Sequence, residues 1–204
     1  MHTPSQKRQT AGNDAFPVVV IGASTGGPPI IEQIVMALPR GTRACVLIAQ
    51  HMPAQFTAEM SKRLAKDVCL PLKEAQDGDR LNSGTIFIAP GNRCMEVRRD
   101  NAGEPMITIV DASHTSHEAT PSIDELMRSV AKIFGKRVTG FLLTGMGRDG
   151  TIGMQFIQKL EGHTYAQTPS TCVVDSMVEY AIGCDTVEKI IRPEHIAGII
   201  SSLS

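Results

Sequence analysis

A three-layer α/β/α domain, doubly wound around a mostly parallel sheet with an antiparallel hairpin at one edge, is predicted by three features of the 204-residue sequence. From Phe16 onward, short apolar runs alternate with amphipathic stretches in a repeating strand–turn–helix order. The runs at 18–21 and 45–49 are apolar without interruption, as strands covered on both faces must be. Glycine-rich turns at 22–27 and 145–150 stand where strand gives way to helix.

The elements follow in order. Residues 1–15 are polar and without periodicity, which predicts a disordered tail or linker stump ahead of a domain spanning 16–204. The strand at 18–21 leads through its glycine turn into a helix with Pro29 near its start and Ile30, Ile31, Ile34 and Leu38 inward. A strand at 45–49 ends at Gln50 and His51. Phe56, Met60 and Leu64 recur every fourth residue, which predicts one buried face of a helix over 54–66. A short strand over 70–73 follows. Runs at 85–89, 94–98 and 106–110, separated by segments carrying Pro90, Gly91, Asn101 and Gly103, predict the antiparallel edge hairpin. The helix over 121–134 has Ser122 as its cap and Ile123, Leu126, Val130 and Ile133 inward. A strand at 138–143 precedes a helix over 151–160 that buries Ile152, Phe156 and Leu160. A strand (164–167), a helix (173–182), a strand (186–190) and a helix (193–203) complete the chain.

Composition removes several function classes. Lys and Arg number 20 against 21 Asp and Glu, a formal charge of -1, so the basic excess that phosphate backbones demand is missing and no nucleic-acid partner is expected. The apolar runs are too short to cross a bilayer, so no membrane insertion is expected. The N-terminal residues contain no apolar stretch of the secretory kind. Cys45, Cys69, Cys94, Cys172 and Cys184 are odd in number and form no CxxC, which points to the reducing cytoplasm rather than to a disulfide framework. His114 and His117 lack a suitably spaced third ligand, so no metal is expected.

In parallel α/β sheets the working crevice lies beyond the carboxyl ends of the strands, so the residues just after each strand carry the functional reading. Gly22-Ala23-Ser24-Thr25-Gly26 matches G-x-S-x-G between strand and helix, where a serine projects and the following N–H groups face an oxyanion. Ser24 reads equally well as an ordinary helix cap on this motif alone. His51 leaves the second strand at the same sheet edge. A lone histidine is more often structural, but here it is placed to accept a proton from Ser24. Asp149, in the turn before the next helix, is either a cap or the acid that fixes the His51 tautomer. Three turns at one edge thus supply serine, histidine and aspartate. The chain order Ser24, His51, Asp149 is not that of an α/β-hydrolase. No dinucleotide fingerprint and no tyrosine–lysine pair occurs.

The segments IGASTGG (21–27), QHMP with FT (50–57), IAPG (88–91), PSID (121–124), LTGMGRDG (143–150), AQ (166–167) and SxCVV (170–174) resemble the catalytic domain of the chemotaxis protein-glutamate methylesterases. The resemblance implies hydrolysis of glutamate γ-methyl esters on the cytoplasmic helices of chemoreceptors, deamidation of some receptor glutamines, and catalysis by Ser24, His51 and Asp149. Backbone N–H groups near Thr25 or Met146 are the oxyanion candidates. No cofactor is needed. Such proteins usually carry a receiver domain before the esterase. With only a short tail here, the expectation is that the chain lacks that control, is a fragment, or is regulated by a receiver-domain protein in trans. The sequence departs from the family pattern at Ala119 and Thr120, at Ser176-Met177-Val178 and at Cys94. The competing readings are a same-chemistry esterase or deamidase acting on a different protein, and a catalytically idle module that docks on a receptor.

Overall fold

The first strand, β1 (Val18–Ala23), is buried along its whole length. In the computed structural model, which describes residues 16–111 and 120–203, it is the hinge of the architecture. It leads into α1 (Gly27–Met36), β2 (Cys45–Gln50), α2 (Ala54–Asp67), β3 (Leu72–Glu74) and β4 (Ile86–Ile88). The hairpin β5 (Arg93–Arg99) and β6 (Pro105–Asp111) comes next, then α3 (Ile123–Phe134), β7 (Val138–Leu142), α4 (Thr151–Lys159), β8 (His163–Gln167), α5 (Ser176–Gly183), β9 (Lys189–Ile191) and α6 (Pro193–Ser202).

Seven strands form one sheet in the order β3-β4-β2-β1-β7-β8-β9, and every pairing in it is parallel. The chain leaves β1 to one side through β2 and returns to its other side with β7. The order therefore reverses at β1, where such sheets form their crevice. Alternate residues of β1 feed opposite layers. Val18 and Val20 pack with α3, α4, α5 and the hairpin, while Val19 and Ile21 pack with α1, α2 and α6. That is the expected three-layer α/β/α fold.

The structure differs from the sequence expectation in several places. The run at 86–88 is not part of the hairpin; it lies inside the parallel sheet between β3 and β2. The antiparallel hairpin is present, but as its own two-stranded sheet packed on α3, where Ser129 Oγ accepts the N–H of Val97 at 3.0 Å, rather than as an extension of the sheet edge. The apolar alternation was right, but Met95, Val97 and Ile107 find their burial against a helix. In α4 the buried face is Gly153, Met154 and Ile157, whereas Ile152 and Leu160 are exposed and Phe156 is half-buried. Both stripes have helical spacing. The chosen one contains the glycine that lets α4 approach α3, since a Cβ on Gly153 would lie 2.5 Å from Met127 Cβ. In α2, Met60 and Leu64 are buried but Phe56 is exposed. The last helices and strands also shift slightly: α5 starts at Ser176 and β9 covers Lys189–Ile191. The expected tail (1–15) and the histidines His114 and His117 lie outside the described residues.

Candidate active site

Register places the first two candidate residues side by side. Ala23 of β1 pairs with Gln50 of β2, so Ser24 and His51 leave neighbouring strands at the same level, and such strands lie about 4.8 Å apart. The ladders continue past the strand ends: the N–H of His51 donates to the Ala23 carbonyl (3.0 Å), and the N–H of Ser24 to the Thr144 carbonyl (3.0 Å). The residue that caps α1 is not Ser24 but Gly26, whose φ of 83° favours glycine. The reading of Ser24 as an ordinary cap is thereby set aside.

Asp149 comes from the far side of β1, in the turn after β7. Its Oδ2 accepts the Nε2–H of His51 at 2.9 Å, with both side chains largely shielded from solvent (12% and 15% exposed). A carboxylate only accepts, so this contact assigns a proton to Nε2 and leaves Nδ1 as the ring nitrogen not held by Asp149. Asp149 also acts as a cap, yet of α3 rather than of its own helix. Oδ2 accepts the N–H of Ile123 (2.8 Å), and Oδ1 accepts those of Asp124 (2.9 Å) and Gly150 (3.0 Å). Burial pushes the Asp149 carboxyl up, but His51 and the main-chain donors of α3 hold it below the usual carboxylate range. It is thus kept ionised. Gly22 makes this reach possible: a Cβ there would lie 2.3 Å from Ile123 Cγ2, so only glycine admits the start of α3 over β1.

Three polar residues that sequence reading passed over fix the loops. Gln50, 1% exposed, donates through Nε2 to the carbonyls of Ser24 (2.9 Å) and His51 (3.1 Å), tying the two loops together. Thr144 Oγ1 lies 2.9 Å from the Thr25 carbonyl and accepts the N–H groups of Val173 and Val174, both at 3.1 Å. Gln167 Oε1 accepts the N–H of Thr144 (2.9 Å), and its Nε2 donates to the Thr171 carbonyl (3.0 Å). Their signal in the sequence is a polar side chain at the end of an apolar strand.

Thr25 and Met146 border the candidate nucleophile. Gly145 packs so closely on Ser24 that a Cβ there would sit 2.6 Å from Ser24 Cβ, and Met146, next in the chain, is 71% exposed. Beyond His51 opens a groove of about 250 Å³ lined by Pro28, Met52, Phe56, Glu59, Met60 and Arg63. Cys172 is no rival nucleophile: burial, with Asp175 and Glu179 nearby, pushes its thiol up to about 11, so it stays protonated. Among the described residues no cluster of His, Cys, Asp and Glu could hold a metal ion, and no helix is long and apolar enough to cross a membrane.

Comparison with known proteins identifies the family and the fold. Residues 19–200 match the family model described as CheB methylesterase. The protein-glutamate methylesterase/protein-glutamine glutaminase 2 of Methanosarcina acetivorans is 42% identical over 180 residues, covering 84% of this chain and 51% of that protein. The protein-glutamate methylesterase/protein-glutamine glutaminase 3 of Geobacter sulfurreducens is 40% identical over 197 residues, covering 97% of this chain and 52% of that protein. The chain therefore spans about half the length of the curated relatives it matches. The crystal structure of the Thermotoga maritima CheB methylesterase catalytic domain superposes with a TM-score of 0.85 at 31% identity, covering 91% of this chain and 97% of that one. The chain belongs to the CheB methylesterase family.

Proposed function

We propose that this chain is a protein-glutamate methylesterase that also deamidates glutamine, with methylated helices of chemoreceptors as its substrate. The observation that supports the reading is the His51–Asp149 contact at the strand-order reversal of the sheet, with Ser24 leaving the neighbouring strand at the level of His51. The names of relatives at about 40% identity support the substrate class. Five free cysteines fit work in a reducing cytoplasm.

Ser24 Oγ attacks the side-chain carbonyl of a glutamate γ-methyl ester while Nδ1 of His51 takes its proton. The imidazolium that forms is stabilised by Asp149, already bound at Nε2. Main-chain N–H groups at Thr25 and Met146 hold the oxyanion. Collapse of the tetrahedral intermediate breaks the C–O bond, and His51 returns the proton to the departing methoxide, which leaves as methanol. Water, deprotonated by His51, then attacks the acyl-enzyme and restores Ser24, releasing the glutamate carboxylate. With glutamine the leaving group is ammonia. No step needs a metal or cofactor.

The test is methanol release from methylated receptor by the purified chain, beside its Ser24→Ala variant. Release that depends on Ser24 supports the reading. Release from a different methylated protein alone, or tight receptor binding without release, overturns it.

A further inference from the structure

Asp124 is the second residue of α3, and sequence reading gave it no role. Its carboxylate points at the start of the neighbouring helix. Oδ1 accepts the N–H of Gly150 at 2.9 Å and that of Gly153 at 2.7 Å. Asp149, just before α4, makes the mirror-image contact with the start of α3. Each aspartate caps the helix that bears or follows the other, and the main-chain N–H of Asp124 is itself a ligand of Asp149 Oδ1. Asp124 is buried, and Gly153 brings its helix within 3.2 Å of the Asp124 backbone, measured to a notional Cβ.

We propose that Asp124 is a positioning residue for the candidate acid: its carboxylate locks α4 onto α3 so that Asp149 is held against His51, and its charge bears on the His51–Asp149 pair. This deepens the triad reading and rests on it. Among the described residues, the charged groups around Asp124 are few. Asp149 faces it from the loop before α4, with His51 behind that from β2. On its own helix Glu125 pairs with Arg128, whose guanidinium lies over Phe156 of α4. From β5, which meets α3 near Ser129, Glu96 pairs with Arg98.

Desolvation, then the neighbouring charge of Asp149, pushes the Asp124 carboxyl up to about 6, against its main-chain bonds. Below that pH a protonated Asp124 leaves one negative charge beside His51; above it there are two. The second charge favours the imidazolium formed when Ser24 gives up its proton, so it should accelerate the chemical step.

Asp124→Asn keeps an acceptor for Gly150 and Gly153 but stays neutral at every pH. In methanol release, kcat of the variant should fall by about 3- to 30-fold above pH 7 while KM changes less than twofold, and the deficit should shrink towards pH 5. A residue that only holds the fold would give a ratio that does not vary with pH. The second readout needs no substrate: the pH titration of the His51 Nε2–H NMR resonance in the full chain should differ between wild type and Asp124→Asn, the difference developing around pH 6. Identical resonance titrations in the two proteins, or a kcat ratio constant from pH 5 to 8, overturn the inference. Absence of methanol release by the wild type overturns the proposed function instead, and the resonance then decides the role of Asp124 alone.

Discussion

Asp149 binds His51 through Nε2, at 2.9 Å, and not through Nδ1. In the serine protease triad from which the general scheme comes, the acid holds Nδ1 and the serine faces Nε2. In the mechanism proposed above the ring is used the other way round, with Nδ1 as the nitrogen that serves Ser24. The consequence for mutagenesis is that Asp149 cannot be treated as an acid alone, because the same carboxylate also caps α3.

Asp149→Asn should therefore fail twice. One side of the amide presents N–H groups to donors, leaving either His51 and Ile123 or Asp124 and Gly150 without an acceptor. Turnover should fall by about 10³- to 10⁴-fold, and stability by about 1–3 kcal/mol for the stranded donors. Methanol release and thermal melting of one purified preparation check both. Loss of stability with turnover kept within tenfold would reduce Asp149 to a cap.

Ser24→Ala should behave in the opposite way. The residue is half-buried in a turn, so its melting temperature should move by no more than about 1–2 °C. Hydrolysis should drop by at least about 10³-fold. Residual release near the wild-type rate would remove Ser24 as nucleophile.

Gly91→Ala probes the floor beneath His51. A Cβ at Gly91 would lie 2.2 Å from the Met52 carbonyl oxygen and 2.5 Å from Ala54 N and Pro53 C. These are main-chain atoms of the segment that follows His51, and they have little room to give. The expected cost is about 1–3 kcal/mol, or roughly 3–10 °C in melting temperature. Turnover should fall with it, because His51 is displaced. A fully active variant of unchanged melting temperature would show that the 52–54 segment moves freely.

Stability should respond to pH through the two aspartates with opposite sign. Asp149 is held below its unfolded value, so its contribution is present above about pH 4 and is lost as pH falls through its native value. Asp124 is raised to about 6, so its contribution is complete below about pH 4 and is lost as pH rises through 6. Between pH 4 and 7 the melting temperature of wild type should fall relative to Asp124→Asn by about 5 °C. Melting curves of the two proteins that run parallel across that window would remove the buried charge from the account.

Strand residues were the most legible part of the sequence, since runs such as 18–21 and 45–49 leave no alternative to burial on both faces. The three candidate residues were legible for the same reason: the glycine turns and strand ends fix which edge they share. Helix rotation was not. In α4 the sequence offers Ile152, Phe156 and Leu160 as one stripe and Met154 with Ile157 as another. Apolar spacing alone cannot choose between them, and the choice is made by Gly153 and by Asp124, a residue outside the helix. Nor could spacing reveal that Asp149 caps a helix that begins 26 positions earlier, at Ile123. Gln50 and Thr144 were hidden because their partners are carbonyl and amide groups, which every residue carries.

The central place of β1 also bears on the order of assembly. It is flanked by β2, its near neighbour in sequence, and by β7, which arrives only after the hairpin and α3 have been laid down. Pairing Val18 with Val138 closes most of the chain into a loop, a slow event whose entropy cost precedes any reward. Ser24 and His51 can be adjacent early, while Asp149 joins them only when that closure is made. During synthesis at the ribosome, the proposed triad is thus assembled only after β7 is made, and a shorter chain carries Ser24 and His51 without Asp149.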